Sequence, residues 1–421
     1  MTVKIESLPD TKVLKSEVIE AIIKRQLIGD FVAGLKLLNV KLINRMKKLL
    51  LKISEYKLVL ISVAFLVIFS VGCAKKDEKE IKIGAILPLT GQAAQYGIWI
   101  QEALELAREE INMEGGINGK KLVIIYEDDQ ADPKIAASAM QKLITVDKTP
   151  VVFGSWASSC VLAQAPIGER THTVIMAEAI SPKIRDAGDY IFRIQPDARF
   201  YIMKLVPFVY EKMGFRKVSI FYVNNDFGLD QAKVFETEFK KLGGDILSSE
   251  SFEQGSSDCK TSLIKIKEKN PEAIFVPAYT EIATILKQAK ELGMKQQFLG
   301  SVPFENPDII KVAGASAGGV LYPHHFDQDA ENEVTKKYQG NYLRKYGRKS
   351  EGFAALAYDG IKIITNILLK YETAKCIKNE LYSIKDFPGV TGPITFDDHG
   401  DVIKPIIIKT VKNGRFVKYE Q

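Results

Sequence analysis

A chain of 421 residues exceeds what one hydrophobic core commonly supports, so two core-forming units are expected. Hydrophobic residues at 46% and charged residues at 26% exclude global disorder. The formal charge of +6 is concentrated at the front, where residues 1–76 carry 14 Lys+Arg against 6 Asp+Glu; the remainder, at 44 against 46, offers no basic face for nucleic acid.

Residues 1–45 receive no function, because Met46-Lys47-Lys48 reads as the natural start of a secretion signal and the stretch before it as an extension from an upstream start codon. The expected signal peptide is 46–72. Its apolar run, residues 58–69 (LVLISVAFLVIF), is shorter than the ~20 residues of a permanent span and follows Lys47, Lys48, Lys52 and Lys57. The exit Ser70-Val71-Gly72-Cys73 resembles a bacterial lipobox, which implies lipidation at Cys73, a membrane-anchored protein and an extracytoplasmic body in the periplasm or at the cell surface. Residues 73–80, with charges from Lys75 to Glu80, read as the lipid-attached tether.

From Ile81 onward, short apolar runs alternate with amphipathic stretches. Residues 81–87 predict a strand, and Ile100, Leu104, Ala107 and Ile111 a helix stopped by Gly115-Gly116. Strands follow at 122–126, 151–153 and 173–176. The scheme then restarts with a strand at 218–222, a helical stripe of Ala232, Phe235, Phe239 and Leu242, a strand at 273–276, and a stripe of Ile282, Ile285, Leu286 and Ala289. A long helix carrying Ala354, Ala357, Ile361, Ile364 and Leu368 comes later, and 406–411 with 416–419 around Asn413-Gly414 reads as a hairpin. The predicted fold class is α/β, two doubly wound parallel-sheet lobes with a ligand cleft near the carboxyl ends of the strands.

Cys73, Cys160, Cys259 and Cys376 show no zinc spacing, and His172, His324, His325 and His399 form no metal motif; extended backbone would point His324 and His325 to different sides. No metal and no cofactor are expected. The first strand leads into Leu89-Thr90-Gly91-Gln92, which is no dinucleotide turn, and no GxSxG elbow occurs, so an enzyme finds no support.

The segments IKIGAILPLTG and AAQYG, INMEGGINGKKLVIIYEDDQADP, VVFGSWASS, FYVNNDFG, FLGSVPFENPDIIKVAGASAGGV and GPITFDDHGD occur in one order between Ile81 and about Val411. Together they resemble the branched-chain amino acid binding proteins of ABC importers. The resemblance implies a type 1 periplasmic-binding-protein fold with a three-segment hinge near 193–196, 320–324 and 392–401. It places lobe 1 at 81–195 and 324–395, and lobe 2 at 196–323 and 396–421. It implies a monomer that closes on a small solute and serves membrane permease subunits. A sensor domain for a separate receptor is the alternative.

Residues 155–159 (Ser-Trp-Ala-Ser-Ser) lie between a strand and a helix, so their hydroxyls and first free N–H groups suit a carboxylate. Ser158 stands where the family holds the α-carboxylate, with Ser159 beside it, although either serine also suits a helix cap. Tyr96 and Tyr279 match aromatic cleft positions, one per lobe, and Phe227 stands where related proteins often have Tyr. Rings from opposing lobes can sandwich a solute; Trp156 either walls the pocket or supports its loop from behind. The family's usual acidic partner for an ammonium is Val302 here, which leaves Glu178 and Glu305 as candidates. Glu178 and Ala179 stand in the loop where the family offers a backbone carbonyl and a Thr hydroxyl, the latter replaced by Ile180. The competing reading has Glu178 satisfied by backbone N–H groups or by Arg193. The family's frequent disulfide would join Ala131 and Ala157, so none is expected. Aliphatic amino acids, short-chain carboxylates, aromatic acids and amides all stay open as solutes.

Overall fold

The computed structural model describes residues 80–371 and 373–420, together with residues 26, 29, 34 and 36–45. The expected signal peptide, Cys73 and residues 74–79 lie outside the described residues. The chain forms two units, Met1–Asp77 and Glu78–Gln421. In the first, residues 36–45 are helical and exposed. No helix among the described residues is long and apolar enough to cross a membrane.

Within the second unit, β1 (Glu80–Leu87), β2 (Lys121–Asp128), β3 (Val151–Phe153), β4 (Val174–Ala177) and β5 (Ile191–Arg193) form a parallel sheet in the order β2-β1-β3-β4-β5. Its crossovers are α1 (Ala94–Met113), α2 (Pro133–Thr145) and α3 (Ser158–Thr171). Local chemistry sets their starts. Asp132 caps α2 by accepting from the Lys134 and Ile135 N–H groups, and Pro133 needs no donor there. Tyr96, Ile100, Ala103, Leu104 and Ala107 give α1 its buried face.

The second sheet repeats the plan. After α4 (Ala198–Pro207), it contains β6 (Lys217–Val223), α5 (Asp226–Lys241), β7 (Asp245–Phe252), α6 (Lys260–Glu268), β8 (Ala273–Val276), α7 (Glu281–Glu291), β9 (Gln297–Gly300), α8 (Pro307–Ala313) and β10 (Leu321–His324). The strand order β7-β6-β8-β9-β10 matches that of the first sheet, and β13 (Ile407–Lys412) and β14 (Arg415–Lys418) extend it antiparallel as the expected hairpin. The sequence pattern gives no sign of β7, DILSSESF, because an edge strand half open to water carries no apolar run. Helices α9 (Glu333–Tyr346), α10 (Gly352–Leu368) and α11 (Ala374–Ser383), and the small β11 (Phe387–Gly389)–β12 (Gly392–Ile394) hairpin, complete the chain, with α10 packed on α1.

The chain passes between the two sheets three times: 194–197 after β5, 325–332 after β10 and 395–406 after β12. Arg193, wholly buried, ties two of these passages together. Its guanidinium donates to both Asp401 carboxylate oxygens at 2.6 Å and to Asp197 and the Ser181 carbonyl at 2.9 Å, while its N–H donates to the Gly400 carbonyl. A buried charge is tolerable when it is fully paired in this way.

Candidate functional site

In a doubly wound sheet, ligands bind beyond the carboxyl ends of the strands, where the strand order reverses. Those points fall between β1 and β3 in one sheet and between β6 and β8 in the other. Trp156 and Tyr279 stand in the loops leaving β3 and β8, and Tyr96 and Phe227 in the first turns of α1 and α5, which follow β1 and β6. Close backbone approach fixes two of them. Gly97 follows Tyr96, and a Cβ there would strike the Pro88 carbonyl; Gly228 follows Phe227, and a Cβ there would strike the Val223 carbonyl. Each glycine seats its helix directly on the end of its strand and turns the preceding ring toward the opposite sheet.

The four rings form one run of contacts across the junction, two stacked pairs joined by a tilted Trp156–Tyr279 contact. Tyr96 and Trp156 are nearly parallel with centroids 4.2 Å apart, Trp156 and Tyr279 lie at 4.9 Å, and Tyr279 and Phe227 stack at 4.5 Å. All four are at most 5% exposed. The structure therefore brings together the aromatic residues expected from the sequence, with a correction in arrangement: Trp156 itself fills the space between Tyr96 and Tyr279. Phe353 at the start of α10 meets Tyr96 and Trp156 edge-on at 5.5 and 5.7 Å. The lobes are closed. Tyr96 donates to the Pro303 carbonyl at 2.8 Å, Ser181 bonds Asp230, and Lys183 pairs with Asp226 at 2.7 Å.

Ser158 is the first residue of α3 and is buried. The cap position is Ala157, which has no side-chain bond to the helix, so Ser158 is not the N-cap that one reading of the sequence offered. Its Oγ instead accepts the Ser181 N–H at 3.2 Å, which joins the α3 start to the loop after β4. Ser155 Oγ accepts the Ala157 N–H, and Ser159 is half-buried.

Glu178 and Ala179 lie in that same loop, both buried. Neither Glu178 carboxylate oxygen has a hydrogen-bond partner among the described residues. Satisfaction by backbone donors or by Arg193 is thus corrected, since Arg193 is spent on Asp401, Asp197 and Ser181. Burial, reinforced by the negative charge of Glu351, holds Glu178 well above the usual carboxylate range. Glu305 differs. It accepts from Tyr322 at 2.8 Å and from Lys409 at 2.6 Å, so it is already paired.

His324 and His325 do not diverge as extended backbone would have them: β10 ends at His324, and the two rings stack at 4.6 Å. Both are buried, and desolvation pushes them well below the usual imidazole range, so they are neutral. His325 Nδ1 is 2.7 Å from the Tyr201 hydroxyl. No metal-holding group of His, Cys, Asp or Glu occurs among the described residues, and Cys160 and Cys259 are buried free thiols. Sequence reasoning missed Phe353, Glu351 and Tyr201, which reach the junction from α10 and α4; Phe353 and Glu351 bracket the Gly352 that opens α10, the one local signal. A cavity of about 300 Å³ beside the junction is lined by Gln95, Trp99, Asn306, Arg348 and Glu351. A larger one, about 600 Å³, lies among α1, α9 and α10, away from the strand ends.

Two sheets of the same strand order, shut against each other over loops that carry rings and an unpaired carboxylate, define a bilobal α/β solute-binding protein. The chain belongs to the periplasmic binding protein family, whose model matches residues 80–415. It is similar to the Leu/Ile/Val-binding protein of Escherichia coli (strain K12), at 26% identity over 336 residues covering 77% of this chain and 88% of that one. Among solved structures, it resembles the branched-chain amino acid transporter substrate-binding protein LivJ from Streptococcus pneumoniae in complex with isoleucine, with a TM-score of 0.75, 29% identity and 81% and 100% of the two chains covered. It also resembles the leucine-binding protein LivK from Thermotoga maritima, with a TM-score of 0.76, 27% identity and 81% and 98% coverage. These findings agree with the resemblance carried by the sequence motifs. Such proteins bind small solutes outside the cytoplasm and work with ABC permeases.

Proposed function

We propose that this chain is a monomeric, non-enzymatic receptor that captures an α-amino acid with an apolar side chain between its lobes and presents it to an ABC permease, tethered to the membrane by lipid on Cys73. The observation that carries the amino-acid reading is Glu178. A buried carboxyl with no hydrogen-bond partner costs about 1–3 kcal/mol even when neutral, which a guest ammonium bonded to it would offset. A solute lacking an amine leaves that cost in place. The α-carboxylate is received at the start of α3 by Ser158 and Ser159 and the free N–H groups there, while the Ala179 carbonyl in the adjoining loop accepts from the guest's ammonium. Tyr96, Trp156, Tyr279 and Phe227 face the apolar side chain. Because these groups come from both sheets, the full contact set exists only in the closed form, and the guest favours closure by its differential affinity.

Calorimetry with leucine, isoleucine and valine tests this reading. At least one should bind with one guest per chain, and Ser158→Ala should weaken it about tenfold or more, the effect of losing a hydrogen bond to a charged group. No binding of any of the three at millimolar concentration rejects the amino-acid reading.

A further inference from the structure

We infer that Ser181 and Lys183 latch onto Asp226 and Asp230 of the opposite lobe, and that Ser181 is the positioning residue that ties the seat of the guest's carboxylate to lobe closure. The latch itself touches no guest; only its tie to the carboxylate rests on the proposed role of Ser158.

Each polar group of Ser181 serves a different element. Its N–H donates to Ser158 Oγ at 3.2 Å, its carbonyl accepts from Arg193 at 2.9 Å, and its Oγ donates to Asp230 on α5. The same Oγ accepts the Lys183 N–H at 3.3 Å. A serine hydroxyl whose oxygen already accepts still has its hydrogen to give, so Ser158 is left to donate, the role a guest carboxylate requires.

Across the junction, Asp226 and Asp230 stand one turn apart on α5, the helix that also carries Phe227 into the ring contacts. Asp230 is 7% exposed. A carboxylate so buried needs donors, and they come from the loop after β4: Ser181 Oγ, and Lys183 Nζ at 3.3 Å from Asp230 and 2.7 Å from Asp226. The latch thereby holds against α5 the loop that carries Glu178 and Ala179.

When the lobes part, Ser181 and Lys183 stay with the first sheet and both aspartates leave with the second, where Asp230 regains water. The four groups therefore meet only in the closed form and favour that form whatever the guest is. Because apparent affinity falls with the population of the competent form, losing the latch weakens every guest by one common factor. Losing a guest contact would weaken guests unequally, since specificity is a difference between affinities.

The test uses the whole protein with L-isoleucine, L-leucine and L-valine as probes and two variants. Ser181→Ala keeps the N–H and carbonyl bonds and should weaken every bound probe by the same factor, about tenfold or more, through faster dissociation at an unchanged association rate. A mere turn-capping role for Ser181 would lower the melting temperature and leave dissociation unchanged. Lys183→Met, at an exposed side chain, should weaken the probes less and flatten the salt dependence of their affinity, because exposed charge pairs are screened. An unchanged dissociation rate in Ser181→Ala, unequal factors among the probes, or a salt dependence that Lys183→Met leaves intact overturns the latch and leaves the amino-acid reading standing. If none of the three probes binds, the amino-acid reading falls and the guest-free protein decides the latch: both variants should shift tryptophan emission to longer wavelength than the wild type, and identical emission maxima overturn it.

Discussion

Among the described residues, Glu178 is a buried carboxyl with neither oxygen hydrogen-bonded. Burial and the negative charge of Glu351 both disfavour its ionised form. Its folded-state proton affinity is raised, so whatever stability it contributes is complete below its unfolded pKa of about 4.3 and is lost as pH rises toward the folded value. In guest-free protein the melting temperature of Glu178→Gln should therefore exceed that of the wild type, and the gap should widen between pH 5 and pH 8; thermal melts at several pH values measure it. An unchanged gap across that range would show the carboxylate to be paired after all. The sequence singles out Glu178 because an acidic residue stands in a loop where relatives place neutral groups. Phe353 was not legible, since it lies far along the chain from Tyr96 and Trp156 and only the folding of α10 onto α1 brings its ring to theirs. Ser158 was legible for the opposite reason: strand, small residues and helix follow one another directly along the chain.

Among the elements, two of the three passages between the sheets are joined by a single side chain. Arg193 holds Asp197 at the start of α4 and Asp401 in the passage before β13, and Arg185 adds bonds to Asp397 and Asp401 at 2.8 and 2.9 Å. Replacing Arg193 by Ala removes the buried partner of Asp197 and Asp401 and leaves them only the more exposed Arg199 and Arg185, so a loss of about 3–5 kcal/mol is expected in urea unfolding, the range for breaking a buried pair. A loss below about 1 kcal/mol would mean that water reaches the site. Helices with clear apolar periodicity and strands with continuous apolar runs were readable in the sequence, as with 151–153 and 273–276. The short β5 and the polar β7 were not, because one has only three residues and the other keeps one side in water. The hinge ion pairs were invisible for a more general reason: sequence spacing says nothing about an arginine and an aspartate 208 positions apart.

At the scale of the whole molecule, the two sheets repeat one topology and supply the same kind of group from the same places. Tyr96 and Phe227 each precede a helix-seating glycine after the first strand of their sheet, and Trp156 and Tyr279 each follow the third. The restart of the strand-and-helix scheme at 218–222 pointed to this repetition in the sequence, and the aromatic-glycine pairs Tyr96-Gly97 and Phe227-Gly228 repeat with it. The three-dimensional arrangement adds what the sequence lacks, namely that the rings meet.

Both tryptophans of the chain, Trp99 and Trp156, are buried where the lobes meet, and each touches Tyr96. The molecule thus carries a built-in optical gauge of its own gape. Parting the lobes would wet both indoles together, shifting their fluorescence to longer wavelength, and a guest that shuts the jaws would shift it back to shorter. Titrating isoleucine while recording the emission maximum should give a blue shift that saturates at one equivalent, and no engineered dye is needed to watch it.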